Sequence, residues 1–190
     1  MDTSLATSED TDVDTNDTLT VSAIRTGRES AAAVTYVDSI GVQIGIPTGL
    51  AFNTDGTKMF VTNVTNDDID EYTLSTGFDV STASYDSNFS VASQDGAPQG
   101  IAFNTNGTKM FIGGKDNGKV FEYTLSTGFD VSTASFVDGF SISSQETHIS
   151  DLAFSTDGTK MFIVGTNSKS VFEYNLSTGF DVSTASYVDG

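Results

Sequence analysis

One block of sequence recurs three times at a spacing of 51 residues. It reads Gly-Ile-Ala-Phe-Asn-Thr-Asn-Gly-Thr-Lys-Met-Phe in its middle copy, and the three copies lie at 49–60, 100–111 and 151–162. A second block, Glu-Tyr-Thr-Leu-Ser-Thr-Gly-Phe-Asp-Val-Ser-Thr-Ala-Ser, keeps the same spacing at 71–84 and 122–135 and, with one change, at 173–186. Because a single repeat cannot bury its apolar side alone, such a chain is predicted to fold as an array of similar supersecondary units.

Each copy predicts four short β-strands separated by turns. In the middle copy they are predicted at 99–103, 109–113, 120–125 and 136–142. The turn between the first two, Asn-Thr-Asn-Gly at 104–107, ends on a glycine that can adopt positive φ. No stretch of the repeats has helical periodicity. The predicted fold class is therefore all-β: tandem four-stranded antiparallel blades of a β-propeller, preceded by an extended N-terminal arm.

The repeat resembles sequences from two groups of proteins. Phe-Ser-Thr-Asp-Gly-Thr-Lys-Met-Phe-Ile at 154–163 is similar to the Phe-Ser-Pro-Asp-Gly hairpin of many bacterial propellers, with Thr in place of Pro. The wider unit resembles repeats of marine phage fibre and structural proteins and of large bacterial surface proteins. The second resemblance implies a virion structural protein that takes part in host attachment, and both indicate architecture better than function.

The chain divides into an acidic arm at 1–34 and blades at 35–190, with blade limits expected near 35–84, 85–135 and 136–190. Three blades are fewer than the four to eight that close a propeller. Residues 35–42 read as a fourth strand ahead of the first copy, and 187–190 repeat the start of the fourth strand at 136–139. An N-terminal strand that latches a ring is one interpretation. The favoured one is a truncated chain, completed by further blades.

Charge excludes some partners. The net charge is −18, which disfavours nucleic acid and anionic membrane surfaces. The chain has no cysteine, so disulfides and thiolate metal sites are excluded. No apolar run is long enough to predict a membrane-spanning helix, and the first residues do not read as a secretory signal.

The arm holds the candidate ligand and docking residues. Four aspartates are the candidate calcium ligands: Asp10, Asp12, Asp14 and Asp17. Thr15 and Val21 stand where an EF-hand loop requires Gly and Glu, so no cofactor is predicted. Arg25 and Arg28 are candidates for docking on an acidic partner, or for balancing the carboxylates of the arm itself.

Residues that recur in every copy have mainly structural interpretations. Asp79, Asp130 and Asp181 are expected to cap turns, and the Asp55, Asn106 and Asp157 series indicates turn chemistry. Lys58, Lys109 and Lys160 are interpreted as residues that protect edge strands. Repeated Phe, Met and Tyr positions predict a core between blades, with a sugar-binding aromatic shelf as the alternative: Phe52, Phe103, Phe154, Met59, Met110, Met161, Tyr72, Tyr123 and Tyr174. His148, the only histidine, is expected in a surface loop.

These features favour a phage tail fibre or surface appendage. The arm would anchor it to other virion or tail proteins, and the blade loops would meet a host surface glycan or receptor. A homo-oligomer is expected. A secreted bacterial adhesin and a protein-interaction scaffold are the alternatives, and a propeller hydrolase ranks below both. Because no base lies beside a nucleophile in the sequence pattern, the chain is predicted not to be an enzyme.

Overall fold

The computed structural model describes residues 36–43 and 45–188. All the strands described below lie in one compact unit, Asp38–Gly190. The arm at 1–34 and the candidate residues on it lie outside the described residues. Their predicted roles stay predictions.

This compact unit is built of three four-stranded antiparallel sheets, here called the first, second and third blades. The first blade contains β1 (Pro47–Phe52), β2 (Lys58–Asn63), β3 (Asp68–Leu74) and β4 (Ala83–Ser90). The second contains β5 (Pro98–Phe103), β6 (Lys109–Gly114), β7 (Lys119–Leu125) and β8 (Ala134–Ser141). The third contains β9 (Ile149–Phe154), β10 (Lys160–Gly165), β11 (Val171–Leu176) and β12 (Ala185–Tyr187). The predicted all-β fold is confirmed.

Each blade is a meander in which every strand pairs with the next one in sequence. The fourth strand therefore closes the sheet of the three strands before it. The expected blade limits assigned this strand to the start of the following blade. In the structure it belongs to the preceding blade, so the limits move by one strand. Residues 36–42 were predicted as a further fourth strand, and this is wrong because they form no strand.

A one-turn 3₁₀ helix precedes every fourth strand, at Val80–Thr82, Val131–Thr133 and Val182–Thr184. The aspartate before each helix caps it: the Asp130 Oδ1 accepts hydrogen bonds from the Ser132 backbone N at 3.1 Å and from its Oγ at 2.6 Å. The capping role predicted for the repeated aspartates is confirmed. No helix in the described part of the chain is both long enough and apolar enough to cross a membrane.

Strand alternation places the core between neighbouring blades. Phe60 and Ile69 of the first blade pack against Met110, Ile112 and Tyr123 of the second. The next interface repeats this arrangement with Phe111 and Val120 against Met161, Ile163 and Tyr174. The three repeated tyrosines are buried, so the core interpretation is confirmed and the aromatic shelf is not formed by these side chains.

The repeated lysines do not protect edges. Lys58, Lys109 and Lys160 begin β2, β6 and β10, each of which has a paired strand on both sides. Each forms an ion pair with a glutamate of the adjacent strand, and the Lys109 Nζ lies 2.6 Å from the Glu122 Oε1. The edge-strand prediction is wrong because the sequence does not show which strand of a meander is central.

Candidate binding site

The segments that enter the second and third blades are each fixed by a buried carboxylate. Between the second and third blades this is Glu146, whose Oε1 accepts hydrogen bonds from the backbone N of Thr147 and His148 at 2.9 and 2.8 Å. Its Oε2 accepts from the Ser168 backbone N at 3.0 Å and from the Ser168 Oγ at 2.7 Å. Burial acts to raise the pKa of Glu146, but the hydrogen bonds from Ser168, His148 and Thr147 outweigh it and lower the pKa to about 2.

Asp95 occupies the same position one repeat earlier, with a side chain one methylene shorter. Its Oδ1 accepts a hydrogen bond from the Ala97 backbone N at 2.8 Å. Its Oδ2 is buried and makes no hydrogen bond of normal geometry within the described residues. Burial raises the pKa of Asp95, and the backbone amides of Ala97, Asp116 and Asn117 oppose that shift only in part. The shorter side chain therefore leaves this junction less well satisfied than the one at Glu146.

His148 lies exposed on the loop that enters the third blade, as predicted. Its Nδ1 is 3.1 Å from the Oδ1 of Asn167. The Asn167 Nδ2 donates in turn to the Thr147 Oγ1 at 2.7 Å. These contacts orient the imidazole at the surface through an amide rather than a carboxylate.

A polar cavity of about 400 Å³ opens in the first blade. It is lined by Gln43, Asn66, Asp70, Tyr85 and Asn88. Its volume is in the range of small-molecule pockets. The corresponding part of the second blade is filled, so the cavity distinguishes the first blade from the second.

The cavity exists because Asp70 replaces a phenylalanine of the repeat. Its counterparts one and two repeats later are Phe121 and Phe172. In the second blade the Phe121 ring is buried and its centroid lies 6.4 Å from that of Phe136, and a Cβ added at Gly139 would lie 3.0 Å from the ring. Aspartate is too short to fill this volume. Tyr85 and Asn88 stand where the second blade has Phe136 and Gly139.

Two buried carboxylates of β3 have unused hydrogen-bonding capacity, one lining this cavity and one bonded to its Asn88. Asp70 lines it and is 2% exposed, and its Oδ2 has no hydrogen-bond partner in the described part of the chain. Asp68 lies two residues away on the same face of the strand. Its Oδ2 accepts a hydrogen bond from the Asn88 Nδ2 at 3.2 Å, while its buried Oδ1 lacks a partner there as well. Buried carboxylate oxygens without donors are costly, so both favour a ligand that donates hydrogen bonds or carries positive charge.

The pKa values of the two aspartates and of Tyr85 are all raised in this buried, negatively charged environment. Burial raises the pKa of Asp68 to about 6, and the negative charges of Asp70 and Asp67 add to the shift. Burial also raises the pKa of Asp70, against a hydrogen bond from the Asn63 side chain. The Tyr85 hydroxyl, next to these carboxylates, has a raised pKa through burial and through the charges of Asp70 and Asp68. It therefore stays a neutral donor at physiological pH.

Sequence reasoning did not identify Asp68, Asp70 or Asp95 as site residues. The signal was present, since Asp70 breaks a position that is otherwise Phe in the repeat. The residues that were proposed as ligands, Asp10, Asp12, Asp14 and Asp17, fall outside the described residues. Within the described ranges, no group of three or more His, Cys, Asp or Glu side chains is arranged to hold a metal ion.

Comparison with solved structures identifies the architecture. The chain is similar to a protein assigned as a 6-phosphogluconolactonase from Bacteroides uniformis, with a TM-score of 0.55 and 16% identity over 75% of this chain and 40% of that one. For the periplasmic gluconolactonase PpgL of Pseudomonas aeruginosa the TM-score is 0.50, with 16% identity over 75% and 38%. For the β-propeller domain of Cps50 (Swd1) from Myceliophteria thermophila it is 0.50, with 10% identity over 76% and 42%. No protein-family model matches the sequence, and no curated protein matches it.

These comparisons correct one prediction. The sequence argument placed the chain outside the enzymes, and this is contradicted because proteins named as lactonases share the architecture of its blades. At such low identity the likeness shows the fold alone. The chain spans about 40% of the length of the first of these proteins. The described part of the chain is therefore three blades of the β-propeller fold.

Proposed function

We propose that the protein is a binding and attachment protein whose first blade recognises a carbohydrate in its polar cavity. The observation that supports this is Asp70, which is buried, lines the cavity and has an Oδ2 without a hydrogen-bond partner among the described residues. On this proposal, the host surface glycan expected at the blade loops would bind in the cavity of the first blade, which Gln43 and Asn66 line from two loops.

The composition of the cavity suits a polyhydroxylated ligand. Sugar hydroxyls donate to carboxylate oxygens, and the amides of Gln43, Asn66 and Asn88 supply both donors and acceptors. The Tyr85 side chain is 40% exposed and presents apolar ring surface at the same place. Calcium takes about six to eight oxygen ligands. The single carboxylate that lines the cavity therefore favours the sugar.

An attachment protein also needs a segment that anchors it. We propose that the arm at 1–34 docks on other virion or tail proteins, with Arg25 and Arg28 facing an acidic surface of the partner. The support is the acidic, Ser- and Thr-rich composition of 1–20 and the resemblance of the repeats to phage fibre proteins. A virion location follows from this proposal, and a cell-surface adhesin would keep the same cavity with a different anchor.

The cavity is tested by glycan-array screening followed by calorimetric titration of the sugars that bind. Asp70→Phe, which restores the residue of the second and third blades and fills the cavity, is expected to weaken binding at least tenfold. Asp70→Asn keeps the shape and is expected to lose part of the affinity. Asp138→Asn, an exposed carboxylate on the outer strand of the second blade, is the matched control and should bind like the unaltered protein.

Titration with calcium chloride separates the alternatives. The carbohydrate proposal is contradicted if calcium binds with measurable heat, if that heat is lost in Asp70→Asn, and if no sugar binds. Sugar binding that survives Asp70→Phe places the ligand elsewhere and also contradicts it.

The anchor is tested separately by deletion of residues 1–34. The shortened protein is expected to keep its β-sheet circular dichroism and its sugar binding while it is no longer incorporated into particles. Normal incorporation of the deletion protein contradicts the anchoring role.

A second candidate is lactone hydrolysis, which the structural similarity to the two lactonases favours. Its test is acid release from gluconolactone and 6-phosphogluconolactone in a pH-stat, measured against spontaneous hydrolysis. A rate above background that falls with His148→Ala supports a site at the loop that enters the third blade. A rate equal to background in the unaltered protein counts against this candidate.

A further inference from the structure

The contact between neighbouring blades contains a polar link that is repeated within the chain. The buried Glu71 of the first blade pairs with Lys58 and accepts a hydrogen bond from the Val131 backbone N of the second blade at 2.8 Å. At the next interface the Glu122 Oε2 accepts from the Val182 backbone N at 3.0 Å. Each glutamate is thus fixed by its own lysine and by the 3₁₀ turn of the following blade.

The lysine contributes a second bond across the interface. The Lys109 Nζ lies 2.6 Å from the Glu122 Oε1 and donates to the Phe180 carbonyl of the third blade at 2.6 Å. The Phe111 ring packs on Phe180 with a centroid distance of 6.2 Å. A blade face of this kind therefore recognises the Gly-Phe-Asp-Val turn of its neighbour through charge, backbone donors and an aromatic ring.

The third blade has the counterparts of this lysine and glutamate, and no blade in the described structure packs on them. The Glu173 side chain, paired with Lys160, is 37% exposed, whereas those of Glu71 and Glu122 are 1% and 4% exposed. Val171 is 70% exposed, although its counterparts Ile69 and Val120 are completely buried. Beside it lies an apolar groove of about 170 Å³ that includes Leu152, Phe162 and Val164.

The first blade has the complementary face, and part of it is uncovered. Ile40 and Val42, which precede β1, already pack on its Met59, Val61 and Tyr72 side chains. Its turn places Phe78 and Val80 where the later blades have Phe129, Val131, Phe180 and Val182. Phe78 and Leu50 are each 61% exposed. Val80 and Leu50 line an apolar groove of about 330 Å³. Exposed apolar surface on both sides is unfavourable for an isolated array of three blades.

We propose that the third blade of one copy docks on the first blade of a second copy, with Glu173 accepting from the Val80 backbone N and Lys160 donating to the Phe78 carbonyl. A second copy is the favoured occupant because this chain itself displays both halves of the interface that it already forms twice internally. Two copies of the three described blades supply six, which is within the four to eight that close a propeller. The contact joins two different faces, so it forms a ring if the rotation between copies brings each third blade onto the other copy's first blade. That ring contains two chains.

The expected result in light scattering coupled to size exclusion is a discrete particle of two chains. Val171→Asp places a charge in the centre of the proposed contact, and this variant is expected to elute as a single chain. Val137→Asp is the matched control, because Val137 is also an exposed valine, 49% exposed on the outer strand of the second blade, and lies away from both faces. A single-chain mass for the unaltered protein overturns the proposal, and an open-ended distribution of masses overturns the closed ring.

Cysteine cross-linking tests the direction of the contact, because the chain contains no cysteine of its own. Copies with Lys160→Cys are mixed with copies with Val80→Cys and treated with a short bis-maleimide. Covalent dimers are expected in the mixture and absent from either variant alone. Dimers within the Lys160→Cys sample would indicate that two third blades meet, and would overturn the head-to-tail arrangement. The cavity of the first blade is tested by sugar binding, so failure of either proposal is recognised independently of the other.

Discussion

At the scale of single residues, the length of one side chain decides how well a blade junction is satisfied. Glu146 makes hydrogen bonds of normal geometry with two loops, whereas Asp95 at the equivalent position makes one, with the Ala97 backbone N. The glycines opposite the two carboxylates, Gly114 and Gly165, leave the room that they occupy, since a Cβ at either glycine would overlap the carboxylate. The repeat thus contains one well-formed and one incomplete version of the same contact.

Asp95→Glu is expected to stabilise the protein, because the added methylene brings the carboxylate closer to the Asn117 backbone N, the counterpart of the Ser168 N that Glu146 uses. The gain is about 1 kcal/mol in the free energy of unfolding, the usual net value of a hydrogen bond. The reciprocal Glu146→Asp is expected to cost about 1–3 kcal/mol, since it strands a buried acceptor. Urea denaturation measures both. Equal effects of the same sign would contradict the length argument.

Asp68 predicts a specific pH dependence. Its pKa is about 6 in the folded protein and near 3.8 when unfolded, so between these values the folded chain holds a proton that the unfolded chain has released. The contribution of Asp68 to stability therefore falls as pH rises from about 4 to about 6. Asp68→Asn should flatten the stability profile in this window, while Asp138→Asn should not. Glu146 acts at lower pH, because its lowered pKa makes its contribution disappear as pH falls from about 4.5 to about 2.

At the scale of elements, the hairpin between the first two strands of a blade is locked to the turn before the fourth strand. Gly107 has a φ of 71° and the Phe129 ring lies against it, and Phe129 is itself in the left-handed region with a φ of 59°. The same arrangement occurs at Gly56 with Phe78 and at Gly158 with Phe180. Glycine is thus required at this position for two reasons: the positive φ, and the space that the aromatic ring occupies.

Gly107→Ala is expected to destabilise the fold for both reasons. The left-handed backbone alone costs roughly 1–2 kcal/mol for a residue with a Cβ, and overlap with the Phe129 ring adds to this. Gly41→Ala is the control, because a Cβ there meets nothing within 4 Å, and its effect should stay within about 0.5 kcal/mol. Thermal unfolding compares the two variants. Similar melting temperatures would show that the ring moves away without cost.

At the scale of the whole molecule, the dominant feature is a net charge of −18. Self-repulsion of this size opposes the compact state, and mobile ions screen it. The melting temperature is therefore expected to rise between about 10 and about 150 mM sodium chloride, where the Debye length shortens from about 30 to about 8 Å. A fall in melting temperature over this range would mean that the lysine–glutamate pairs outweigh the repulsion.

Local and repeated features could be predicted from the amino-acid sequence alone. The spacing of 51 residues, the strand alternation and the Asn-Gly and Asp-Gly turns predicted the strands of the middle blade to within a few residues. The capping role of Asp79, Asp130 and Asp181 followed from chemistry within a few residues of each side chain. Local hydrogen bonds and pleat periodicity need no knowledge of distant partners, which is why these predictions hold.

Which blade faces meet became visible in the folded structure. The sequence could not show that Lys109 lies on a central strand and bonds a carbonyl 71 residues away. Nor could it show that exchanging Phe for Asp at position 70 opens a cavity, since that depends on what Gly139 and Phe136 leave free in the other copies. Glu122 and Glu173 share one local sequence pattern, yet only Glu122 is covered by a following blade. Burial is a property of the neighbour as much as of the residue, and near-identical repeats therefore acquire different chemistry at each position in the array.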